Sequence, residues 1–224
     1  MDDKLFRRIN SKVNPFLEKL FNFPSKIFPG FNLEEDKKAL NEIIQGRDII
    51  VEFGSGSGHH LIDLAIKYPS QLVLGFEIRF KRAVRTIEKA EYLTNLAVFR
   101  GKSELVAELL PKNSVSKVFI NFPDPWDKKR WLKHRILSAK FFDILPNVLK
   151  PGAIVSVKTD HRKYFLTFLE ELKEDSRFKK VDENLNLPEN LEGDEGIRTE
   201  FEGLFRHQGK EINFVKFIFS PQEF

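Results

Sequence analysis

The chain contains no cysteine. That absence excludes disulfides, thiolate nucleophiles and cysteine-ligated zinc, leaving carboxylates, histidines and hydroxyls for any chemistry. The five histidines, His59, His60, His134, His161 and His207, have no metal-ligand spacing, so no metal site is expected. No secretory or transmembrane apolar run occurs; a cytoplasmic location without membrane contact follows as the expectation. Repeats and low-complexity blocks are also missing. What the chain has in quantity is phenylalanine, 23 of 224 residues. Phe is chiefly a burial residue, so most of these belong in a core. The length suits one full domain, or one with a small extension. The formal charge is only +4 although the pI is about 9.1. The excess is local: residues 126–135 carry five Lys/Arg against one Asp, which equals the balance of the whole chain. A concentrated basic patch on an otherwise balanced surface points to a polyanionic partner.

Residues 1–46 read as a basic amphipathic helical extension. Leu5, Phe6, Ile9 and Val13 recur at helical spacing among Lys4, Arg7, Arg8, Lys12 and Lys19, and Asn14-Pro15 fits the start of a second helix through Phe21. From residue 47 to 224 the pattern is that of one α/β domain. Apolar runs at 49–53, 72–76, 96–99, 117–122 and 153–157 predict buried strands. Helical spacing recurs between them, in Leu61, Leu64 and Ala65 and in Phe80, Val84 and Ile87. Such alternation specifies a mostly parallel sheet with helices on both faces. Residues 181–198 read as acidic and irregular, and 211–219 as a C-terminal strand.

Two strand ends carry the chemistry. The first is Glu52-Phe53-Gly54-Ser55-Gly56-Ser57-Gly58, a strand running into a glycine-rich turn and then a helix. Ligands of open α/β sheets bind beside such turns. The last glycine of the dinucleotide fingerprint is replaced by His59, and the turn has no phosphate-seeking lysine, which disfavours both a dinucleotide and a P-loop. A nucleoside cofactor without a pyrophosphate fits best, S-adenosylmethionine being the common one. Glu77, at the tip of the next strand, is suited to the ribose hydroxyls and Glu52 to an ammonium. The second strand end is Phe122-Pro123-Asp124-Pro125-Trp126, where two prolines stop the strand and stiffen the turn around one carboxylate and one indole. The cations Lys128, Lys129, Arg130, Lys133 and Arg135 follow directly, a composition suited to holding phosphates beside a modified base.

These markers resemble the bacterial tRNA (guanine-N7-)-methyltransferases, a branch of the class I S-adenosylmethionine-dependent methyltransferases. The resemblance runs from about residue 48 to 219. It includes Leu149-Lys150-Pro151-Gly152, Thr159-Asp160 and Thr199-Glu200-Phe201-Glu202, in the expected order. It implies a Rossmann-like class I fold with an antiparallel C-terminal strand. It also implies methyl transfer to N7 of a guanine in the tRNA variable loop. By the same resemblance Glu52, Gly54, Gly56, Gly58, Glu77 and Asp124 hold the cofactor, with Lys102, Ser103 and Glu104 near the adenine. The family usually has Asp or Asn where Lys102 stands. Asp124 and Asp160 serve catalysis. Lys128, Asp160, Thr199, Glu200, Phe201 and Glu202 contact substrate, and Lys129, Arg130, Lys133, His134 and Arg135 contact RNA. Trp131 and His134 replace a histidine and an arginine common in the family's basic run.

Guanine N7 carries an in-plane lone pair and no proton, so such an enzyme works by positioning and by offsetting charge rather than by a general base. The acidic segment before Thr199 is a candidate lid. Competing readings are a silent RNA-binding module on the same fold, a methyltransferase of another purine or of protein, and a dehydrogenase. A monomer is favoured over an oligomer.

Overall fold

The structure, a computed structural model, describes residues 15–221. The stripe Leu5, Phe6, Ile9 and Val13 lies outside the described residues. An eight-stranded sheet forms the middle layer. Its strands are β1 (Ile27–Phe28), β2 (Ile49–Phe53), β3 (Leu72–Phe76), β4 (Leu96–Phe99), β5 (Val115–Asn121), β6 (Leu149–Thr159), β7 (Phe178–Asn184) and β8 (Asn213–Phe219). The spatial order is β1-β4-β3-β2-β5-β6-β8-β7, with β8 antiparallel to β6 and β7 and every other pairing parallel. Every residue of β2, β3 and β4 is buried, as a sheet covered on both faces requires. The order reverses at the β2/β5 boundary. The loops leaving those two strands therefore diverge and open a crevice at their carboxyl ends.

Helices α1 (Pro15–Leu20), α3 (His59–Lys67) and α4 (Phe80–Lys89) cover one face, burying Leu20, Leu61, Leu64, Val84 and Ile87 against Ile50, Val73 and Val98. The other face meets α2 (Leu33–Ile44), α5 (Val106–Leu109), α6 (Ala139–Phe142) and α7 (Arg162–Glu171). Phe53, Phe76, Phe142, Phe165, Phe168 and Phe217 form its centre. Among the described residues no helix is long and apolar enough to cross a membrane. Residues 15–46 are built into this domain: β1 extends the sheet beside β4, and Leu20, Ile27, Phe28, Leu40 and Ile44 are buried in the two cores.

Three elements depart from the sequence-based expectation. Strand β1 is two residues between prolines, too short to show periodicity. Strand β7 occupies 178–184, partly inside the segment read as irregular. It is an edge strand whose Lys179, Lys180, Asp182 and Glu183 are solvated, so it lacks apolar alternation. Strand β6 begins at Leu149, its pairing with β5 shifting register across Pro151-Gly152.

The remaining chain, 185–198, crosses the sheet as a strap before α8 (Glu200–His207). By register, Lys117 of β5, Lys158 of β6 and Lys216 of β8 share one face. The strap neutralises that face. Asp194 accepts from Lys117 (2.6 Å), Lys67 (2.7 Å) and the Tyr68 hydroxyl (2.5 Å), Glu195 pairs with Lys216, and Lys158 donates to Glu195 O at 2.7 Å. Burial pushes the Asp194 carboxyl up, but its three donors outweigh that and hold it at about 2, against 3.8 ordinarily.

A carboxyl depressed in this way stabilises fully above its unfolded value and loses that contribution as pH falls toward 2; the difference amounts to about 2 kcal/mol. Asp194→Asn should lower unfolding free energy by about that much at neutral pH and by much less near pH 2.5. Urea unfolding at the two pH values checks this, and an equal deficit at both would refute the linkage.

Candidate active site

The turn from β2 into α3 depends on glycine. Gly54, Gly56 and Gly58 have φ of +74°, +57° and +80°, a region costly for any residue with a Cβ. At Gly58 a Cβ would also lie 2.3 Å from Thr86 Cγ2. The turn sits low on β3 because Gly75 has no side chain; a Cβ there would meet Ser55 Oγ at 2.6 Å. Gly54 and Ser55 donate to Phe76 O at 2.8 and 3.1 Å. Glu77 then ties the turn to the next loop: Oε2 accepts from Gly56 N (3.0 Å) and Oε1 from Arg79 N (2.8 Å), with Arg82 4.0 Å away. Burial pushes the Glu77 carboxyl up, and these partners offset it only in part.

Glu52, next to last in β2, is almost fully buried. Its Oε1 accepts from Asn121 Nδ2 at 3.1 Å and lies 3.1 Å from His60 Nδ1, which is itself 3.4 Å from Asn121 Nδ2. Its Oε2 has no partner, nor has the buried Ser55 Oγ. Buried acceptors are rarely left so, and an unpaired carboxylate oxygen beside a glycine turn suits an ammonium. With Glu77 one strand over, the pair fits a ligand carrying an ammonium and a vicinal diol. Lys102, Ser103 and Glu104 follow at the tip of β4, where Gly101 N donates to Glu77 O at 3.2 Å; Lys102 and Glu104 are exposed.

Across the crevice, the turn after β5 holds two bulky residues in left-handed backbone, Phe122 at φ +50° and Trp126 at +45°. Such strain persists only where the surroundings over-determine it. Asp124, Pro125, Trp126, Asp127, Lys128 and Trp131 line an open pocket of about 350 Å³. Trp126 packs on Trp131 (5.7 Å) and His134 (5.6 Å), and Lys128 and Arg130 lie over Trp131 at 5.0 and 4.8 Å. Lys129, Arg130, Lys133 and His134 are exposed. Arg135 instead turns inward, donating to Pro125 O at 2.6 Å and lying 4.5 Å from the Tyr164 ring, so it braces the turn.

Asp160, at the tip of β6, is paired with Lys210 at 2.5 Å. Thr199 caps α8 by accepting from Glu202 N at 2.9 Å. The first turn of α8 then reaches the glycine-turn side, with Glu200 3.6 Å from His59 and Phe201 under Arg82 at 5.9 Å. Glu202 faces the other way. Lys158 occupies its Oε2 (2.9 Å) and Arg206 its Oε1 (3.0 and 2.9 Å), so both oxygens serve the fold. Desolvation holds the Lys158 ammonium below its usual range even with Glu202 opposing it. His60, Asn121, Lys158 and Lys210 carry no motif in the sequence: His60 stands in the first turn of α3, Asn121 and Lys158 near strand ends, and Lys210 in the turn after α8. Among the described residues no three His, Asp or Glu converge as metal ligands.

A family model described as "Putative methyltransferase" matches residues 46–215. A tRNA (guanine-N(7)-)-methyltransferase of Bdellovibrio bacteriovorus is 30% identical over 168 residues, 74% of this chain and 80% of the relative. That of Mesoplasma florum is 28% identical over 191 residues, covering 80% and 86%. A bifunctional glycosyltransferase/methyltransferase of Fusobacterium nucleatum is 32% identical over 216 residues, 94% of this chain; the chain spans only 33% of that protein. Among solved structures, the 16S rRNA (adenine(1408)-N(1))-methyltransferase from Catenulisporales acidiphilia has a TM-score of 0.60 at 16% identity, covering 88% of this chain and 97% of the other. At that identity the likeness shows the fold.

Gly54→Ala, with nothing within 4 Å of the added methyl, should cost about 1 kcal/mol from backbone strain. Gly58→Ala adds the collision with Thr86 and should cost at least about 2 kcal/mol. Thermal unfolding of both variants checks the order, and equal costs would show that the Thr86 contact gives way.

Proposed function

The chain belongs to the bacterial tRNA (guanine-N7-)-methyltransferases, within the class I S-adenosylmethionine-dependent methyltransferases, and from that membership we propose that it methylates N7 of a guanine in the tRNA variable loop. The observation that carries the cofactor assignment in this chain is the buried, unpartnered Oε2 of Glu52 beside the glycine turn. A methionine ammonium completes that oxygen, while Glu77, one strand away, has acceptor capacity left for ribose hydroxyls. Ile78, exposed beside Glu77, and Ser103 and Glu104 border the position of the adenine.

S-adenosylmethionine supplies an electrophilic methyl on a sulfonium, and guanine N7 attacks it with a lone pair that needs no deprotonation. The protein's residues therefore position and compensate charge. Asp124, on the rigid Pro-Asp-Pro turn, stands on the crevice side opposite the glycine turn, where its charge offsets the positive charge growing on the purine. Asp160 accepts from the donor edge of the guanine. The packing that holds Phe122 and Trp126 in left-handed backbone also sets the Asp124 turn and the start of the basic run behind it. Lys128, Lys129, Arg130, Lys133 and His134 form the outer rim, where tRNA phosphates bind in the cytoplasm. A silent RNA-binding module is disfavoured because the acids Glu52, Glu77, Asp124 and Asp160 are all present at one edge of the sheet.

The first experiment is methyl transfer from labelled S-adenosylmethionine to unmodified tRNA, with 7-methylguanine located by borohydride and aniline cleavage. Cleavage in the variable loop is the expected result; label elsewhere in the tRNA would move the target, and tRNA binding without label would favour the silent module. Asp160→Ala should lower turnover about a hundredfold or more while leaving S-adenosylmethionine affinity near wild type; near-normal turnover would remove Asp160 from this role. Affinity for tRNA should fall steeply between 50 and 200 mM salt as the rim cations release counterions, on the order of tenfold per phosphate pair engaged. A flat response in a filter-binding titration would exclude this rim as the RNA surface.

A further inference from the structure

Lys210 follows α8 and meets Asp160 at the tip of β6, its Nζ 2.5 Å from Oδ2. The turn behind it is built to hold it there. Gly209 takes φ +71°, Gly209 N donates to Arg206 O at 2.9 Å, and Lys210 N reaches back to Phe205 O at 3.0 Å. These bonds close the helix in a Schellman turn, which fixes the main chain from which the lysine projects. The ammonium lies 4.2 Å from the Phe205 ring centre. Phe205 in turn stands between Phe122 (5.4 Å), on the strained end of β5, and Phe201 (6.0 Å), which lies under Arg82 beside Glu77. The ion pair thus borders an aromatic row running from the β5 turn to the cofactor side.

We propose that Lys210 is the residue that reads O6 of the target guanine, and that Asp160 and Lys210 together form the guanine-specificity element. This rests on the reading that guanine N7 is the methyl acceptor. A lysine ammonium offers three N–H donors and a carboxylate only acceptors. Side by side, the pair displays donor, acceptor, acceptor. The Watson–Crick edge of guanine displays the complement: O6 accepts, and N1–H and the 2-amino group donate. With one N–H kept on Asp160, Lys210 retains donors for O6, while the carboxylate takes N1–H and the 2-amino group. Adenine presents an amino donor toward Lys210 and the N1 acceptor toward Asp160, so both contacts become repulsive. The Lys210 side chain is 44% exposed and that of Asp160 18%; a bound base covers the pair, and a mismatched base then leaves its polar groups unpaired, which is what makes such sites selective. The edge being read lies away from the imidazole ring, so N7 stays open to the methyl donor. Because the pair is neutral as a unit, it can select the base without adding net charge beside a purine that becomes cationic.

The test is an atomic-substitution cycle on kcat/KM. Wild type and Lys210→Met are compared on tRNA carrying guanine and on tRNA carrying 6-thioguanine at the target position, since sulfur is a poor hydrogen-bond acceptor. Wild type should lose roughly tenfold on the thio-substrate, and Lys210→Met should lose a similar factor on guanine but nothing further on 6-thioguanine. Lys210→Arg, which keeps the donors, should recover part of the guanine rate. Equal thio-penalties in wild type and Lys210→Met would overturn the assignment. So would a parallel fall in S-adenosylmethionine affinity and Tm for Lys210→Met, which would make the lysine a structural brace. If wild type forms no 7-methylguanine at all, the parent reading falls and this one with it; an active wild type without coupling overturns this one alone.

Discussion

The buried ion cluster of Lys158, Glu202 and Arg206 is the constraint on which the substrate side of the molecule depends. Lys158 projects from a central strand onto the face it shares with Lys117 and Lys216, and its three N–H groups are consumed by Glu195 O, Ile197 O and Glu202 Oε2. Glu202 gives its other oxygen to Arg206 through two hydrogen bonds. Desolvating such charges costs several kcal/mol per ion, and only complete satisfaction makes the arrangement tolerable. Removing one partner leaves the others stranded, which is worth about 3–5 kcal/mol. The cluster therefore allows one placement of α8 and of the strap before it. That placement brings Thr199, Phe201, Phe205 and Lys210 to the edge of the sheet where the strand tips carry their acids.

The cofactor side follows the opposite logic. The Lys158 cluster is saturated, whereas Glu52 keeps one oxygen and Ser55 its hydroxyl without a partner. The adjacent backbone is strained at Phe122 and Trp126. Unsatisfied polar atoms and left-handed bulky residues lower stability and persist where a ligand or reaction requires them. Glu52 Oε2, Ser55 Oγ, Phe122 and Trp126 lie at the carboxyl ends of β2 and β5, the switch point of the sheet, whereas a further unpaired buried atom, Asn213 Oδ1, stands at the start of β8. Glu77 links the two regimes: its carboxylate orders the glycine turn through Gly56 N–H and the following loop through Arg79 N–H.

Legibility in the sequence follows local character. The strands β2 to β5 show as apolar runs because they are buried on both faces, and α3 and α4 show through their 3.6-residue stripes. The glycine turn and the Pro-Asp-Pro turn show because each needs residue types that few other positions tolerate. Strand β7 is hidden because its side chains face water and its pairing with β8 joins residues far apart in the chain. Arg135 reads as one more cation in a basic run. Only its contacts with Pro125 O and Tyr164 separate it from Lys129 and Lys133, which stay in solvent. Glu202 reads in the sequence only as the last residue of the Thr-Glu-Phe-Glu motif; its pairing with Lys158 and Arg206 shows only in the fold.

By itself the sequence determined the α/β class, the strand tips that carry Glu52, Glu77, Asp124 and Asp160, and the basic run beyond Trp126. These are local patterns of burial, turn chemistry and charge, and each is complete within a few residues. Tertiary structure decided which polar groups face one another. It set Lys117, Lys158 and Lys216 against the acidic strap, gave both Glu202 oxygens partners while leaving Glu52 Oε2 without one, and brought Lys210 to Asp160 across fifty residues. Long-range pairing of charges depends on sheet order and strand register. A chain read one segment at a time carries no trace of either until its strands are in place.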